Sequence, residues 1–334
     1  MEGKYRIIQY LLVLLFTILL IILNYRNSYG NDAQKPGETV TREFMHDGLK
    51  RHYLIHLPTS FNKGQRWPVV FVLHGGTGSA ERTVKRVAGD FLAFSDREGF
   101  IAVFPNGYPD RPGSGRYHWN DGRKGSRWPA HQKNIDDVGF FSAMINHFIK
   151  TYNADPERIY TAGASNGGMM CYRLACELSG KITAVAALIA NVPLELSEST
   201  PQEPVSILIM NGTKDPLMPY EGGEITFRSV RLGKVLSTAE TVKFWITHNQ
   251  TKPSPKTNWE PDKDPRDGTR VRRDVYEGGK NGTEVVLYTI EDGGHTWPGG
   301  RQYLLEGLIG KTSQDINAVE IIWDFFRRHS RNQS

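Results

Sequence analysis

Short apolar runs recur along most of the chain, and Gly, Asn or Asp follows each of them within a few residues. The runs are rich in Val and Ile and show no alternation of polar and apolar side chains. Strands that are buried on both faces of a sheet have this composition, because neither face meets water. The predicted strands are Pro68–Leu73, Phe100–Phe104, Arg158–Thr161, Ala184–Ile189, Val205–Met210 and Glu284–Ile290.

The segments between these runs place apolar residues three or four positions apart, which is the spacing of one face of an α-helix. The predicted helices are Thr83–Arg97, Asp136–Tyr152, Asn166–Leu178, Val235–Thr247 and Ser313–His329. Strands and helices therefore alternate. This order predicts an α/β fold in which a mostly parallel, doubly wound sheet carries helices on both faces.

An opening hairpin and two long polar connections frame this alternation. Glu43–His46 and Arg51–Leu57 flank Asp47-Gly48, a pair that suits a tight turn between antiparallel strands. The polar connections cover residues 106–134 and 250–274 and contain no predicted strand or helix. The first of them is rich in Gly, Arg and aromatic residues, which makes it a candidate for substrate contacts.

The first 30 residues differ from the rest of the chain. Lys4 and Arg6 precede an apolar stretch at positions 7–23, a pattern that directs proteins to a membrane. Small residues at Ser28 and Gly30 suit a cleavage site after residue 30. We therefore expect residues 1–30 to be a signal peptide and the mature protein to be secreted or periplasmic. The alternative is that positions 7–23 remain as a membrane anchor, which would be the only contact with a membrane.

Length and charge narrow the class of protein. The 334 residues would accommodate two domains, yet no linker-like segment follows the polar lead at 31–40, so residues 41–330 are predicted to form one domain. The net charge is only +5 and its basic residues are scattered. Nucleic-acid binding needs a concentrated basic face, so we expect no nucleic-acid partner.

The motif Gly-x-Ser-x-Gly occurs at residues 163–167, between a predicted strand and a predicted helix. A serine on such a strand-to-helix turn is raised above the sheet edge, where it can act as a nucleophile. Ser165 is therefore the predicted nucleophile. The backbone amide of Asn166, at the start of the helix, is predicted to stabilise the developing oxyanion. The alternative is an ordinary turn in which Ser165 only caps the helix.

Asp215 and His295 each follow a later predicted strand. In this kind of fold the acid and then the histidine come after the serine, and all three meet at the carboxyl edge of the sheet. His295 would take the proton of Ser165 and pass it to the leaving alcohol, while Asp215 would orient the imidazole. Asp292 and the aspartates at 136–137 are weaker candidates for the acid, because the latter pair begins a helix.

A second oxyanion donor is expected in the glycine-rich turn His74-Gly75-Gly76-Thr77-Gly78, which follows a predicted strand. We predict the amide of Gly76, with Thr77 as the next choice. A phosphate-binding loop is the alternative interpretation of this turn. It is disfavoured because the Lys-Ser/Thr ending of such loops is missing.

Aromatic residues near these motifs suggest a binding surface. Tyr117, Trp119 and Trp297 are predicted to contact the substrate, with Trp128 beside them, as an apolar wall or a platform for a sugar ring. The alternative is that these rings anchor the 106–134 loop to the core. The remaining histidines are scattered, so we predict no metal site, and no motif indicates an organic cofactor.

Together the motifs resemble the esterase/polyhydroxybutyrate depolymerase family of α/β-hydrolases, which includes feruloyl and acetyl xylan esterases. The resemblance spans about residues 40–330, and its most specific element is the sequence His-Thr-Trp-Pro-Gly-Gly from His295 onward. The motifs that carry it are His74-Gly75-Gly76, Asp136-Asp137-Val138-Gly139-Phe140, the Ser165 turn, Asn211-Gly212-Thr213-Lys214-Asp215-Pro216 and Gly293–Gly300. The family's triad falls on Ser165, Asp215 and His295.

The resemblance implies a serine carboxylic ester hydrolase that works through an acyl-enzyme. Its expected substrates are soluble hydroxyalkanoate oligomers or feruloyl and acetyl esters of the plant cell wall, including esters linked to a polysaccharide. Solid polyester is less expected, because family members that attack it generally carry an added substrate-binding domain. Two alternatives are a serine peptidase of the same fold and a membrane-tethered, non-catalytic binding protein built on a hydrolase fold.

Overall fold

A computed structural model describes residues 34–86, 89–227 and 229–331. From Pro36 onward the described chain forms one compact unit. The predicted signal segment at residues 1–30 lies outside the described residues. Within the described ranges, no helix combines the length and the apolar character that crossing a membrane requires.

The described strands belong to one large sheet and two small ones. They are β1 (Thr39–His46), β2 (Leu49–His56), β3 (Trp67–Leu73), β4 (Ile101–Pro105), β5 (Tyr108–Pro109), β6 (Tyr117–His118), β7 (Ala154–Ala164), β8 (Ala184–Leu188), β9 (Ser206–Gly212), β10 (Gly223–Phe227), β11 (Val230–Val235), β12 (Lys256–Trp259), β13 (Arg270–Tyr276) and β14 (Val285–Glu291).

The large sheet has ten strands in the order β1-β2-β4-β3-β7-β8-β9-β14-β13-β12. The six strands from β4 to β14 in that order run parallel to one another. Antiparallel strands extend the sheet at both edges. The predicted mostly parallel, doubly wound sheet is confirmed, and so is the opening hairpin, which turns at Asp47-Gly48.

Helices cover both faces of the sheet. They are α1 (Ala80–Arg86), α2 (Gly89–Glu98), α3 (Pro129–Gln132), α4 (Asp137–Tyr152), α5 (Asn166–Glu177), α6 (Thr238–Asn249), α7 (Glu306–Ile309) and α8 (Ala318–Phe326), with 3₁₀ turns at Leu194–Leu196 and Lys280–Gly282. Helices α4, α5 and α6 bury side chains such as Phe148 and Trp245 against one face. Helices α2 and α8 bury Phe91 and Phe326 against the other.

Three sequence predictions differ from the structure. The connection at 106–134, predicted to be without strands or helices, contains the short elements β5, β6 and α3. The helix predicted at Thr83–Arg97 is two helices, and the second begins at Gly89, a residue type that weakens helix interiors. The connection at 250–274, predicted to be without strands, contains β12 and the start of β13. All four residues of β12 are exposed, so its sequence has no apolar alternation to indicate a strand.

Candidate active site

Ser165 lies on the turn between β7 and α5, at the carboxyl edge of the parallel strands. Its backbone has φ +55° and ψ −122°, a combination that non-glycine residues rarely adopt and that is costly unless its surroundings enforce it. The flanking glycines make the turn possible. A Cβ at Gly163 would lie 2.6 Å from the Gly167 carbonyl, and one at Gly167 would lie 2.5 Å from the Leu73 carbonyl oxygen. Only glycine therefore fits at either position.

The structure brings Asp215 and His295 together. Asp215 Oδ2 lies 2.7 Å from His295 Nδ1, and both side chains are buried. The other carboxylate oxygen, Oδ1, accepts the backbone amides of Leu217 and Met218, each at 2.8 Å. Because the carboxylate accepts on both oxygens, His295 donates from Nδ1 and presents its lone pair at Nε2.

Backbone hydrogen bonds join the turns that carry these two residues. Thr213 donates to the Ile290 carbonyl at 3.0 Å, and Lys214 donates to the Gly293 carbonyl at 2.9 Å. Ser165 follows β7, which is separated from β9 only by β8. Among the described residues no hydrogen bond joins Ser165 Oγ to His295, which is common before a substrate closes the site.

In the described chain none of the rival acids is bonded to His295. Asp292 is exposed. Asp136 caps α4 by accepting the Gly139 amide at 2.8 Å, as the sequence predicted for a helix start. Asp137 is completely buried, and its Oδ1 lies 2.7 Å from Arg51 Nη2. Neither Asp136 nor Asp137 is a partner of His295.

The glycine-rich turn after β3 packs directly against the Ser165 turn. A Cβ at Gly75 would lie 3.6 Å from the Ser165 Cβ, and one at Gly76 would lie 3.8 Å from the Asn166 Cβ. The amide of Thr77 donates to His118 Nε2 at 3.1 Å. Among the described residues the amides of Gly76 and Asn166, the two expected oxyanion donors, have no acceptor.

Side-chain contacts that the sequence does not predict connect the 106–134 loop to the Ser165 turn, and one of them is made by Asp121. Asn166 Oδ1 accepts the Trp119 amide at 2.8 Å, and its Nδ2 donates to the Trp119 carbonyl at 3.0 Å. The same Nδ2 donates to Asp121 Oδ2 at 2.6 Å. No spacing rule links Asp121 to Asn166, because the contact arises only when the loop folds over the sheet edge.

Asp121 is held as a carboxylate. Its side chain is completely buried, and it accepts from Arg123 Nη2 at 2.8 Å and lies 2.9 Å from His131 Nε2. Burial by itself would raise the pKa of Asp121, but the charge of Arg123 and the neighbouring His131 outweigh it. The pKa therefore lies well below its usual range.

His74, the first residue of the glycine-rich turn, is buried and neutral. Its Nε2 accepts the Gly107 amide at 3.0 Å, so Nδ1 carries the proton and donates to the Gly75 carbonyl at 2.8 Å. The ring stacks on Trp119 with 4.9 Å between centroids. Burial lowers the pKa of His74 to about 3, so the ring does not compete with His295 as a base near neutral pH.

Two of the predicted substrate contacts need correction. Trp119 is fully buried, and its indole Nε1 donates to the His74 carbonyl at 3.0 Å. Trp297 is also buried and packs edge-on against Phe91. Both rings anchor loops to the core, because the carboxyl edge is built from packed aromatic side chains. Of the three predicted residues, only Tyr117 is half-buried and still accessible to a substrate.

In contrast to the buried Trp119 and Trp297, an exposed apolar segment follows the His295 motif. Four large side chains are 41–75% exposed; they are Tyr303, Leu304, Leu305 and Leu308. The Tyr303 hydroxyl donates to the His295 carbonyl at 2.8 Å, which ties the segment to the predicted base. We call residues 303–308 the leucine segment.

Comparison with known proteins decides the family. Residues 56–232, more than half of the chain, match the model of the dienelactone hydrolase family. The chain belongs to the dienelactone hydrolase family. This family member is a carboxylic ester hydrolase, and the esterase resemblance drawn from its motifs is confirmed.

Relatives of this dienelactone hydrolase family member are named as esterases. The chain is 28% identical over 301 residues to the protein named as an esterase, NocK, of Nocardia uniformis subsp. tsuyamanensis, covering 86% of this chain and 82% of NocK. It is 29% identical over 251 residues to feruloyl esterase B of Piromyces equi, covering 73% of this chain but only 42% of that protein.

A solved structure shares the fold of this hydrolase. The acetyl xylan esterase from Aspergillus awamori superposes with a TM-score of 0.55 at 12% identity, covering 86% of this chain and 99% of that one. At this identity the likeness concerns the fold alone. The α/β-hydrolase fold is thus confirmed, and the site residues are assigned from the geometry described above.

Proposed function

We propose that this hydrolase cleaves carboxylic esters through an acyl-enzyme formed on Ser165. The observation that carries the proposal is the 2.7 Å contact between Asp215 and His295, at the same sheet edge as the strained Ser165 turn. Asp215 fixes the imidazole in the tautomer that leaves Nε2 able to accept a proton. A buried acid, a histidine in the right tautomer and an accessible serine are the parts that acyl transfer needs.

The chemistry proceeds in two halves. Ser165 Oγ attacks the ester carbonyl carbon as His295 Nε2 takes its proton, and the carbonyl oxygen becomes an oxyanion facing the amides of Gly76 and Asn166. Collapse of this intermediate breaks the bond to the alcohol, which leaves with the proton from His295. Water then attacks the acyl group with His295 again as base, and the acid is released.

The proposed substrates are soluble esters with an apolar acyl or alcohol part. Feruloyl and acetyl groups on plant polysaccharide, or hydroxyalkanoate oligomers, fit this description, and a relative is named as a feruloyl esterase. The leucine segment supports an apolar substrate, because it places exposed Leu side chains on the loop that holds His295. We further propose export through residues 1–30, which fits a polysaccharide-linked substrate outside the cell.

Ser165→Ala tests the mechanism. The variant should hydrolyse p-nitrophenyl butyrate at no more than about 10⁻⁴ of the wild-type rate, since the nucleophile is lost while the fold stays intact. A fluorophosphonate probe should label the wild type at Ser165 and leave the variant unlabelled. Ser142→Ala, on the outer helix α4, is the matched control and should keep full activity. Substantial hydrolysis by Ser165→Ala would refute the mechanism.

A substrate panel tests the substrate class. Methyl ferulate, acetylated xylan and hydroxybutyrate oligomers should be cleaved with kcat/KM values well above that for a peptide p-nitroanilide. A preference for the anilide would instead indicate a peptidase of the same fold.

A further inference from the structure

His118 is locked against the glycine-rich turn from three sides. Its Nε2 accepts the Thr77 amide at 3.1 Å, so the proton is on Nδ1, which faces Asp110 Oδ1 at 2.6 Å. Trp128 stacks on the ring with 3.8 Å between centroids and 17° between planes. The 2.6 Å approach of Asp110 lacks hydrogen-bond geometry, so the Thr77 amide sets the tautomer, while the Trp128 stack and the 1% exposure of the side chain hold the ring in place.

The backbone of Thr77 explains why such a lock is needed. Thr77 has φ +60°, and a β-branched residue adopts the left-handed region only when its surroundings hold it there. The Arg82 guanidinium donates to the Thr77 carbonyl at 2.9 Å, while His118 holds the amide. With the Thr77 amide turned into His118, the neighbouring Gly76 amide is the one left for the oxyanion.

The 106–134 loop also holds Asn166, the residue of the second predicted oxyanion donor. The backbone of Trp119 and the carboxylate of Asp121 together occupy every polar atom of the Asn166 side chain. Asn166 is the first residue of α5, and its own amide is the other predicted oxyanion donor. Residues 117–121, which we call the loop clamp, therefore contact both halves of the oxyanion hole.

We propose that the loop clamp positions the oxyanion hole, with His118 as the positioning residue that sets the Gly76 amide by binding the Thr77 amide. This inference rests on the proposed esterase function. It assigns the 106–134 loop a role in stabilising the transition state, in addition to any contact with the acyl group. Preorganised amides of this kind act mainly on kcat, because the oxyanion exists only in the transition state and intermediate.

The test compares His118→Leu with His118→Gln. Leu fills the space but cannot accept the Thr77 amide, so kcat for p-nitrophenyl butyrate should fall about 10- to 100-fold while KM changes less than about threefold. Gln offers a carbonyl oxygen at a similar reach and should recover most of the loss. Binding of a trifluoromethyl ketone, which forms an oxyanion on Ser165, should weaken in parallel with kcat.

His56→Leu is the matched control. His56 is also buried and also paired with an aspartate, Asp96 at 3.2 Å, but it lies at the far end of β2 from the site. This variant should lower thermal stability without changing kcat or ketone binding. If His118→Leu does not fold, Asp110→Ala replaces it. Loss of Asp110 removes the carboxylate whose charge favours a proton on the facing Nδ1, so His118 can carry the proton on Nε2 instead, where it cannot accept the Thr77 amide, and kcat should fall.

Two results would overturn the proposal. The first is a folded His118→Leu or Asp110→Ala variant with wild-type kcat and ketone binding. The second is a folded His118→Gln variant as impaired as His118→Leu. Both are distinct from failure of the esterase proposal, because in each case the wild type remains active and Ser165→Ala remains inactive. Activity that survives in Ser165→Ala would remove the basis for both proposals.

Discussion

The carboxylate of Asp215 uses its two oxygens for different tasks. One binds the amides of Leu217 and Met218, which fixes the carboxylate in place, and the other binds His295. The side chain is thus positioned by its own turn before it orients the imidazole. This local rigidity supports Asp215 as the proposed acid, rather than the exposed Asp292 that is closer to the histidine in sequence.

Asp215→Ala should reduce kcat about 10³- to 10⁴-fold, because the imidazole loses its preferred tautomer and the partner of its charged form. KM should change little. Steady-state kinetics with p-nitrophenyl butyrate measures both values. Asp292→Asn removes a carboxylate near His295 in sequence and should keep wild-type kcat. A large loss in Asp292→Asn together with a small one in Asp215→Ala would reverse the assignment.

At the scale of single residues, the sequence predicts the positions of the triad residues but not the roles of His118 and Asp121. The positions of Ser165, Asp215 and His295 follow from strand order, since each lies a few residues past the end of a buried strand. His118 and Asp121 have no such signal, because their partners Thr77 and Asn166 lie on distant segments that meet only in the folded chain. Trp119 and Trp297 were wrongly predicted to contact the substrate for the same reason, because the burial of an aromatic ring near a motif cannot be inferred from the sequence.

At the scale of elements, the parallel centre of the sheet was predictable and its edge was not. Strands such as β8 are apolar on both faces, so their composition alone distinguishes them from loops. The edge strand β12 pairs with β13 through backbone hydrogen bonds and buries none of its side chains. Its sequence carries the charge and polarity that protect a sheet edge, and these features also resemble a loop.

We expect the leucine segment to make activity depend on the length of the substrate's acyl chain. Leu305 is 75% exposed, on the loop that contacts His295. Leu305→Ser should lower kcat/KM for p-nitrophenyl octanoate several-fold, at about 0.8 kcal/mol for each methylene no longer covered, and should leave p-nitrophenyl acetate nearly unchanged. Met45→Ser, an equally apolar change on β1, is the control. Equal losses on both esters would argue against a chain-length effect.

At the scale of the whole molecule, buried histidines couple folding to pH. His74, His118 and His329 lie at both ends of the sheet, and burial is the main cause that lowers the pKa of each, to about 3, 3 and 4. His329 lies buried just past α8. All three are neutral in the folded protein near neutral pH.

The pH dependence of stability follows from these values. An unfolded histidine takes up a proton below about pH 6.5, whereas the folded ones do so only near pH 3–4, so the unfolded state binds more protons in between. The free energy of unfolding should therefore fall as pH drops below 6.5, by about 1.4 kcal/mol per pH unit for each histidine, and should level off near pH 3–4.

Urea unfolding at pH 6.5, 5.5 and 4.5 measures this slope of stability against pH. His329→Gln should reduce this slope by about 1 kcal/mol per pH unit. An unchanged slope in His329→Gln would show that His329 titrates alike in both states, contrary to its burial.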